Sequence, residues 1–252
     1  LNLGHILYEN SPRYVLLNTK AWRCRGNYKP GDAEPKKREE AFPKLWDAHP
    51  EALVRLLLES NCRPVHHFAV KALKTNRKYC KKIEIETLIK LLERAYGVTA
   101  EFAFEIASDR YDSNNPNFEL VLGLVNCLVP AARQQAYRWI EAQRQLFLND
   151  TNFLASLITS RQEETRQFAG RLLSSSILND DTAKVLIGQI IVQVLTFNPE
   201  AEGIAKVVDD IADILLTSFS PQLRKLGMGV ILDLLRHPLP EVQRLGARIL
   251  LN

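Results

Sequence analysis

"SRQEETRQFAGRLL", Ser160–Leu173, has an earlier counterpart in "SNCRPVHHFAVKAL", Ser60–Leu73. Ser, Phe, Ala and the final Leu hold the same places in both, while the polar letters between them differ. The shared frame reads apolar-x-x-apolar-small-x-x-apolar-apolar. It fits Val65, Phe68, Ala69, Ala72 and Leu73, and, with a polar first position, Thr165, Phe168, Ala169, Leu172 and Leu173. Offsets of 3, 4, 7 and 8 put these residues on one face of an α-helix.

The frame recurs. With polar Gln135 in its second place it fits Ala132, Ala136, Trp139 and Ile140. It fits again at Leu223, Leu226, Gly227, Val230 and Ile231, and at Val242, Leu245, Gly246, Ile249 and Leu250. A small residue at the centre of an apolar stripe lets another helix backbone come close. Glycine within a helix costs about 1 kcal/mol relative to Ala, so Gly227 and Gly246 are expected to answer a packing need.

Each copy follows a short breaker: "NCRP", "RQEE", "SPQ" or "HPLPE". Before most breakers stands another apolar helix, such as "PEALVRLLLES" or "NFLASLITS". The unit is therefore helix, tight turn, helix. Its starts at 65, 132 and 165 lie 67 and 33 apart, and later ones 58 and 19, so the repeat is degenerate. One such unit cannot bury its apolar face, and stacked neighbours do it instead. On this reading the shared letters face the stack interior and the differing letters face solvent or a partner. The expected fold is all-α: a solenoid of about five or six helix pairs over residues 36–252, after an irregular segment, 1–35, packed on the first pair.

The pattern resembles the HEAT-repeat family of α-solenoids. "ETRQFAGRLL", "QLRKLGMGVIL" and "EVQRLGARIL" echo that family's V-R-x-x-A-x-x-x-L second helix, over roughly residues 40 to 252. A narrower resemblance rests on "HILYENSPRY", "AWRCR", "REEAFPKLWD" and "VHHFAVKAL". These words are similar to those of the helical-repeat region of large bacterial proteins that also carry a WGR domain. The resemblance implies a setting, not an activity, because a fold serves many functions. The WGR domain, a nucleic-acid-associated module, is not visible in this chain.

The chain has 46% hydrophobic and 25% charged residues, the proportions of an ordinary globular protein. Cys24, Cys62, Cys80 and Cys127 are scattered without a CxxC pair, which gives neither a zinc ribbon nor a disulfide framework and makes a reducing cytoplasm the expected setting. No secretory signal opens the chain, and its first residues, without an initiator Met, read like the middle of a longer protein. "AKVLIGQIIVQVLTF", Ala183–Phe197, is too short to span a bilayer and reads as a helix buried on most sides.

Signals for catalysis are absent. His66 and His67 are adjacent and would point about 100° apart on a helix, and His5, His49 and His237 stand alone. There is no HExxH, Walker loop, GxSxG or GxGxxG. Asp209, Asp210 and Asp213 read as the solvated face of a helix, and Cys62 lacks an activating neighbour. No catalytic residue, cofactor or metal ligand is assigned. Asn117, and Asp180 or Asp181, are expected helix caps, and the helix beginning in "PKKREEAFPKLW" is expected to break at Pro43.

Charge is uneven. Residues 1–82 carry 17 Lys and Arg against 8 Asp and Glu, a net of +9; the remaining 16 against 21 leave residues 83–252 at −5. "KALKTNRKYCKK" concentrates Lys71, Lys74, Arg77, Lys78, Lys81 and Lys82, with Arg23, Arg25, Lys36, Lys37 and Arg38 upstream. Such clusters neutralise phosphates and release counterions, so these eleven residues are the candidate nucleic-acid contacts. Against that, Lys71 and Lys74 also suit the C-terminal end of a helix dipole. Trp22 and Tyr28 could be exposed for a partner or packed on the first repeat.

The sequence thus points first to a non-catalytic, protein-binding scaffold within a larger bacterial protein. Nucleic-acid binding through the basic third is the second reading. A HEAT-like DNA glycosylase, which would need aromatics and an acid in a basic groove, is the third; a Trp-Asp-Arg set cannot be matched here. No membrane partner is expected.

Overall fold

The computed structural model describes residues 3–18 and 21–252 of the chain. Among these it is helical apart from one small hairpin. The chain opens with α1 (Leu3–Tyr8) and the antiparallel strands β1 (Tyr14–Leu16) and β2 (Trp22–Cys24), Tyr14 opposite Cys24. Then follow α2 (Pro43–Ala48), α3 (Pro50–Glu59), α4 (Arg63–Thr75), α5 (Arg77–Cys80), α6 (Ile85–Leu92) and α7 (Gly97–Arg110). These elements form one compact unit that ends at Tyr111. A second unit begins at Asp112 and holds α8 (Phe118–Asn126), α9 (Pro130–Ala142), α10 (Arg144–Leu148), α11 (Thr151–Ile158), α12 (Glu163–Ser174) and α13 (Asp180–Leu195). It continues with α14 (Ile204–Ser218), α15 (Ser220–Leu223), α16 (Met228–Leu235) and α17 (Pro240–Leu250).

In the first unit α3 packs on α4 and α6 on α7, while α4 also meets α7. In the second, α8 packs on α9, α11 on α12 and α16 on α17. There α11 also meets α8 and α13, and α14 meets α12 and α17. The apolar frame supplies these contacts. Val65, Phe68, Ala69, Ala72 and Leu73 of α4 are all buried, as are Thr165, Phe168, Ala169, Leu172 and Leu173 of α12. Prolines open α2, α3, α4, α9, α15 and α17, where the missing N–H would have no intrahelical acceptor.

The two frame glycines part company. A Cβ on Gly246 would lie 3.0 Å from the Leu234 Cβ and 3.3 Å from the Leu235 backbone nitrogen, so this glycine lets α17 close on α16. Gly227 does not sit within a helix. The chain breaks between α15 and α16, Gly227 is the extended N-cap of α16 (ψ 141°), and nothing lies within 4 Å of its would-be Cβ. Two glycines in three residues, Gly227 and Gly229, outweigh the apolar periodicity here.

Other boundaries also moved. Asn117 caps α8, its Oδ1 accepting from the Leu120 N–H at 2.8 Å. The α13 cap is Asn179, accepting from the Thr182 N–H, and Asp180 and Asp181 fall in the first turn. Pro43 starts α2 instead of interrupting a longer helix, because the residue before a proline is pushed out of the α region. That residue, Phe42, stands at φ 55° and is exposed. The segment expected to be irregular carries α1 and the hairpin, whose three-residue strands are too short for an alternating pattern to show. Trp22 packs edge-on against His5 and Tyr8.

The largest revision concerns the letter that directly follows the first frame position, expected to face outward. His66, Arg133, Arg166 and Gln243 each donate a side-chain hydrogen bond to the carbonyl six residues earlier: Ser60, Cys127, Ser160 and His237, at 2.7–2.9 Å. His66 and Arg166 are fully buried. The position latches the second helix of a pair to the turn that precedes it.

Candidate functional site

The basic stretch predicted from the sequence divides into engaged and free residues. Arg38 is held by Glu40, Asp47, the Thr75 hydroxyl and the Pro43 carbonyl. Lys71 Nζ donates to the carbonyls of Pro35 (2.5 Å) and Lys37 (3.4 Å), and Lys74 pairs with Glu105 at 2.8 Å. These contacts lay the 35–38 segment along the end of α4. Arg77, Lys78, Lys81, Lys82, Lys36, Lys37, Arg23 and Arg25 are exposed and form no ion pair among the described residues.

Four of the predicted residues come together. Lys74, Arg77, Lys78 and Lys81 line a cavity of about 480 Å³ with Arg110, above Phe102, Ile106 and Cys80. Glu105 and Asp109 are its acids, so five cations face two carboxylates. The local fold explains the grouping. Asn76 stops α4 and caps α5, its side chain accepting from the Tyr79 N–H, and so turns Arg77 and Lys78 back towards Lys74. Arg110 comes from the end of α7 and donates to the Ile83 carbonyl. Sequence reading missed it because it lies 28 residues beyond the basic run. Arg23 and Arg25, on the hairpin, do not line this cavity.

A second site had no signal in the sequence. A cavity of about 470 Å³ lies between the amino-terminal segment and α4, lined by Arg13, Tyr8, Tyr14, Tyr28, Glu34, Glu39, Arg63, His67 and Lys71 among others. Its floor is the buried pair Arg13–Glu39. The guanidinium donates from Nε and Nη2 to the two carboxylate oxygens at 2.8 and 2.9 Å, and from Nη1 to the Tyr28 hydroxyl at 3.2 Å. The Ser11 hydroxyl donates to the same carboxylate at 2.6 Å. The rings of Tyr8, Tyr14 and Tyr28 surround the guanidinium with centroids 5.3–5.8 Å away.

Burial pulls the proton affinity of Arg13 down. The hydrogen bonds to Glu39 and Tyr28 and the charges of Glu39 and Glu34 outweigh it, leaving the guanidinium above arginine's ordinary value. The Tyr14 phenol is pushed up to about 12, chiefly by burial and then by its hydrogen bond to Tyr28. Arg13 is thus a structural cation, held bidentate by Glu39 and charged at every accessible pH.

The remaining candidates resolve structurally. His66 sits between the Ser60 carbonyl and the Thr99 hydroxyl (2.8 Å) and stacks on Tyr96. Burial holds its pKa below the ordinary value. Asp209 and Asp213 pair with Arg244 and Arg248 of α17, and Asp210 with buried Arg166, so Asp210 is not part of a solvated face. All four cysteines are free, and burial pushes the thiols of Cys80 and Cys127 up, away from nucleophilic character. Among the described residues no three His, Cys, Asp or Glu group to hold a metal ion, and no helix is long and apolar enough to cross a membrane.

Comparison with protein-family models, with curated proteins and with solved structures finds no match to this chain. The functional reading therefore rests on the geometry above.

Proposed function

We propose that this chain is a non-catalytic binding module, an α-solenoid of HEAT-like helix pairs belonging to a larger bacterial protein, and that its ligand is nucleic acid. The observation that carries the reading is the groove of Lys74, Arg77, Lys78, Lys81 and Arg110, where two carboxylates oppose five cations. Exposed Lys82 extends it, and Lys36 and Lys37 neighbour it through the contacts of Lys71 and Arg38 with their segment. Clustered cations of this kind bind phosphates with little sequence preference. Phe102, the aromatic residue of the groove, is buried, so no stacking platform supports a glycosylase.

Fluorescence anisotropy of labelled duplex and single-stranded DNA and RNA tests the reading. With about four phosphates neutralised, affinity for duplex should fall about two orders of magnitude between roughly 50 and 200 mM salt. Changing Arg77, Lys78 and Lys81 to Ala should abolish the salt-sensitive binding. No binding at the lower salt would overturn it.

A protein partner is the second reading, favoured by a separate observation. A cavity of about 460 Å³ between α13 and α16 is walled by Ile187, Ile191, Val192, Leu195, Leu226 and Val230. Val192 is 62% and nearby Met228 57% exposed. Apolar grooves of this kind accept the apolar face of an amphipathic helix. This reading makes binding independent of salt and sensitive to Val192→Glu.

A further inference from the structure

The cavity between the amino-terminal segment and α4 carries charge that the fold does not consume. Arg63, His67 and Lys71 recur at every fourth residue and so line one wall from a single face of α4. Of the four carboxylates that line the cavity, three are committed to the chain itself. Glu39 is taken by Arg13 and Ser11, Glu40 by Arg38, and Asp32 by the Lys29 N–H at 2.7 Å. Glu39 also stands 4.0 Å from Lys71, which leaves Glu34 as the carboxylate beside His67, and it is loosely held. Its two oxygens lie 3.5 Å from Arg13 Nη2 and 3.5 Å from His67 Nδ1, the outer edge of hydrogen bonding.

Among the described residues Arg63 forms no ion pair, and it donates from Nε to His67 Nε2 at 3.4 Å. That contact makes Nε2 the acceptor and leaves the Nδ1–H of His67 directed to Glu34. Glu34 sits on the exposed loop that follows Gly31, whose φ of +104° suits glycine alone. Its side chain is about two-fifths exposed, so a competing anion can reach the same place.

We propose that this cavity binds a small organic oxyanion, a phosphate ester or a carboxylate, seated against Arg63, His67 and Arg13 in the place now held by Glu34. The Glu34 carboxylate marks where the anionic group sits, and its loop moves outward to admit it. Arg63 supplies the free guanidinium that favours planar, two-point recognition of such groups. The cavity volume of about 470 Å³ falls within the range of small-molecule sites, about 300–1,000 Å³, so more than the anion itself is accommodated. The site is distinct from the basic groove, with which it shares no lining residue.

Isothermal titration of the whole chain with inorganic phosphate, adenosine monophosphate and succinate provides the test. The inference requires at least one to bind at millimolar concentration or better. Phosphate and the nucleotide binding without succinate would assign a phosphate ester, and the reverse a carboxylate. Arg63→Gln should weaken binding about tenfold, the loss of one charge-assisted contact. Glu34→Gln should tighten it severalfold by removing the internal competitor, whereas Glu202→Gln, an equal charge change in an exposed loop of the second unit, should leave it unaltered. Circular dichroism establishes that each variant is folded. No binding by any probe, no response to Arg63→Gln and Glu34→Gln, or equal tightening by Glu202→Gln overturns the inference. The gain expected from Glu34→Gln keeps it testable should Arg63→Gln fail to fold.

Discussion

Residues 60–73 and 160–173 share an apolar frame and the same turn, and the buried polar residue just after the first frame position differs between them. In both, the first Ser accepts a hydrogen bond through Oγ from the N–H two residues on, at 3.1 Å. In both, the residue directly after the first frame position reaches back to that Ser's carbonyl. In the earlier copy that residue is His66, whose other nitrogen meets the Thr99 hydroxyl of α7. In the later copy it is Arg166, which grips Asp210 of α14 with Nε and Nη2 at 2.9 and 2.7 Å. Arg133 does likewise, joining the Cys127 carbonyl to Glu164 of α12. The frame makes the pair; the latch residue selects the partner on the following helix. One latch is ionic and one is a neutral imidazole, and the two should fail differently.

The largest effect is expected at the ionic latch. Arg166→Ala would strand the carbonyls of Ser160 and Arg161 and leave Asp210 with Lys206 alone. Removing one partner of a buried pair costs about 3–5 kcal/mol. Urea unfolding followed at Trp139, which lies in the second unit, should show that loss, while Trp22 and Trp46 report the first unit unchanged. A cost below about 1 kcal/mol, the worth of an exposed pair, would reduce the latch to a surface ornament.

His66→Ala should cost less, about 1–3 kcal/mol, from one stranded hydroxyl and the lost stack on Tyr96, since the Ser60 carbonyl still accepts from Arg94 Nη2 at 2.6 Å. The two latches separate by pH. Burial depresses the pKa of His66 in the folded chain, so the unfolded chain binds its proton first. Stability from this group is complete above the ordinary value near 6.5 and is lost as pH falls below it. The first unit should therefore weaken as pH falls below about 6.5 and His66→Gln should flatten that slope, whereas the Arg166 latch has no proton to gain. A slope unchanged in His66→Gln would assign it elsewhere.

The two carboxy-terminal copies extend the comparison to the small position. Gly246→Ala would force a Cβ against Leu234 and the α16 backbone and should cost about 1–3 kcal/mol. Gly227→Ala meets open space at φ −64°, so the gain through the unfolded chain roughly offsets Ala's weakness as an N-cap and the change should stay within about 0.5 kcal/mol. A clear cost at one and almost none at the other, with the same letter in the same frame, would confirm that one copy is a helix and the other a helix start.

These contrasts show what was legible. Apolar residues three and four apart declare a helical face whatever surrounds them, so α4, α9, α12 and α17 could be read directly, as could the Asn117 cap. The four basic residues of the groove were legible because they are close in sequence. Arg110 was not, since α6 and most of α7 lie between, and neither was the amino-terminal cavity. The cavity joins Arg13 to Glu39 and the Arg63–Lys71 face across stretches of loop, where no periodicity reports proximity. The latch was misread for a different reason. Polar letters default to the surface, and only the hydrogen-bond partners reveal that His66 and Arg166 are buried because both ends are satisfied.

The smallest effect tests whether the latch is a property of the frame or of its chemistry. Gln243 keeps the backward bond, to the His237 carbonyl at 2.8 Å, but its position is exposed and no second contact to a following helix accompanies it. α17 is the last helix among the described residues, so there is no later helix for it to grip. Gln243→Ala should then cost about 0.5–1.5 kcal/mol, the worth of one neutral hydrogen bond in contact with water. A graded series, Arg166 above His66 above Gln243, would mean that the turn bond contributes a constant share and the forward contact the rest. A cost at Gln243 equal to that at His66 would move the energy into the turn itself. The forward contacts to Thr99 and Asp210 would then set which helix follows without adding to stability.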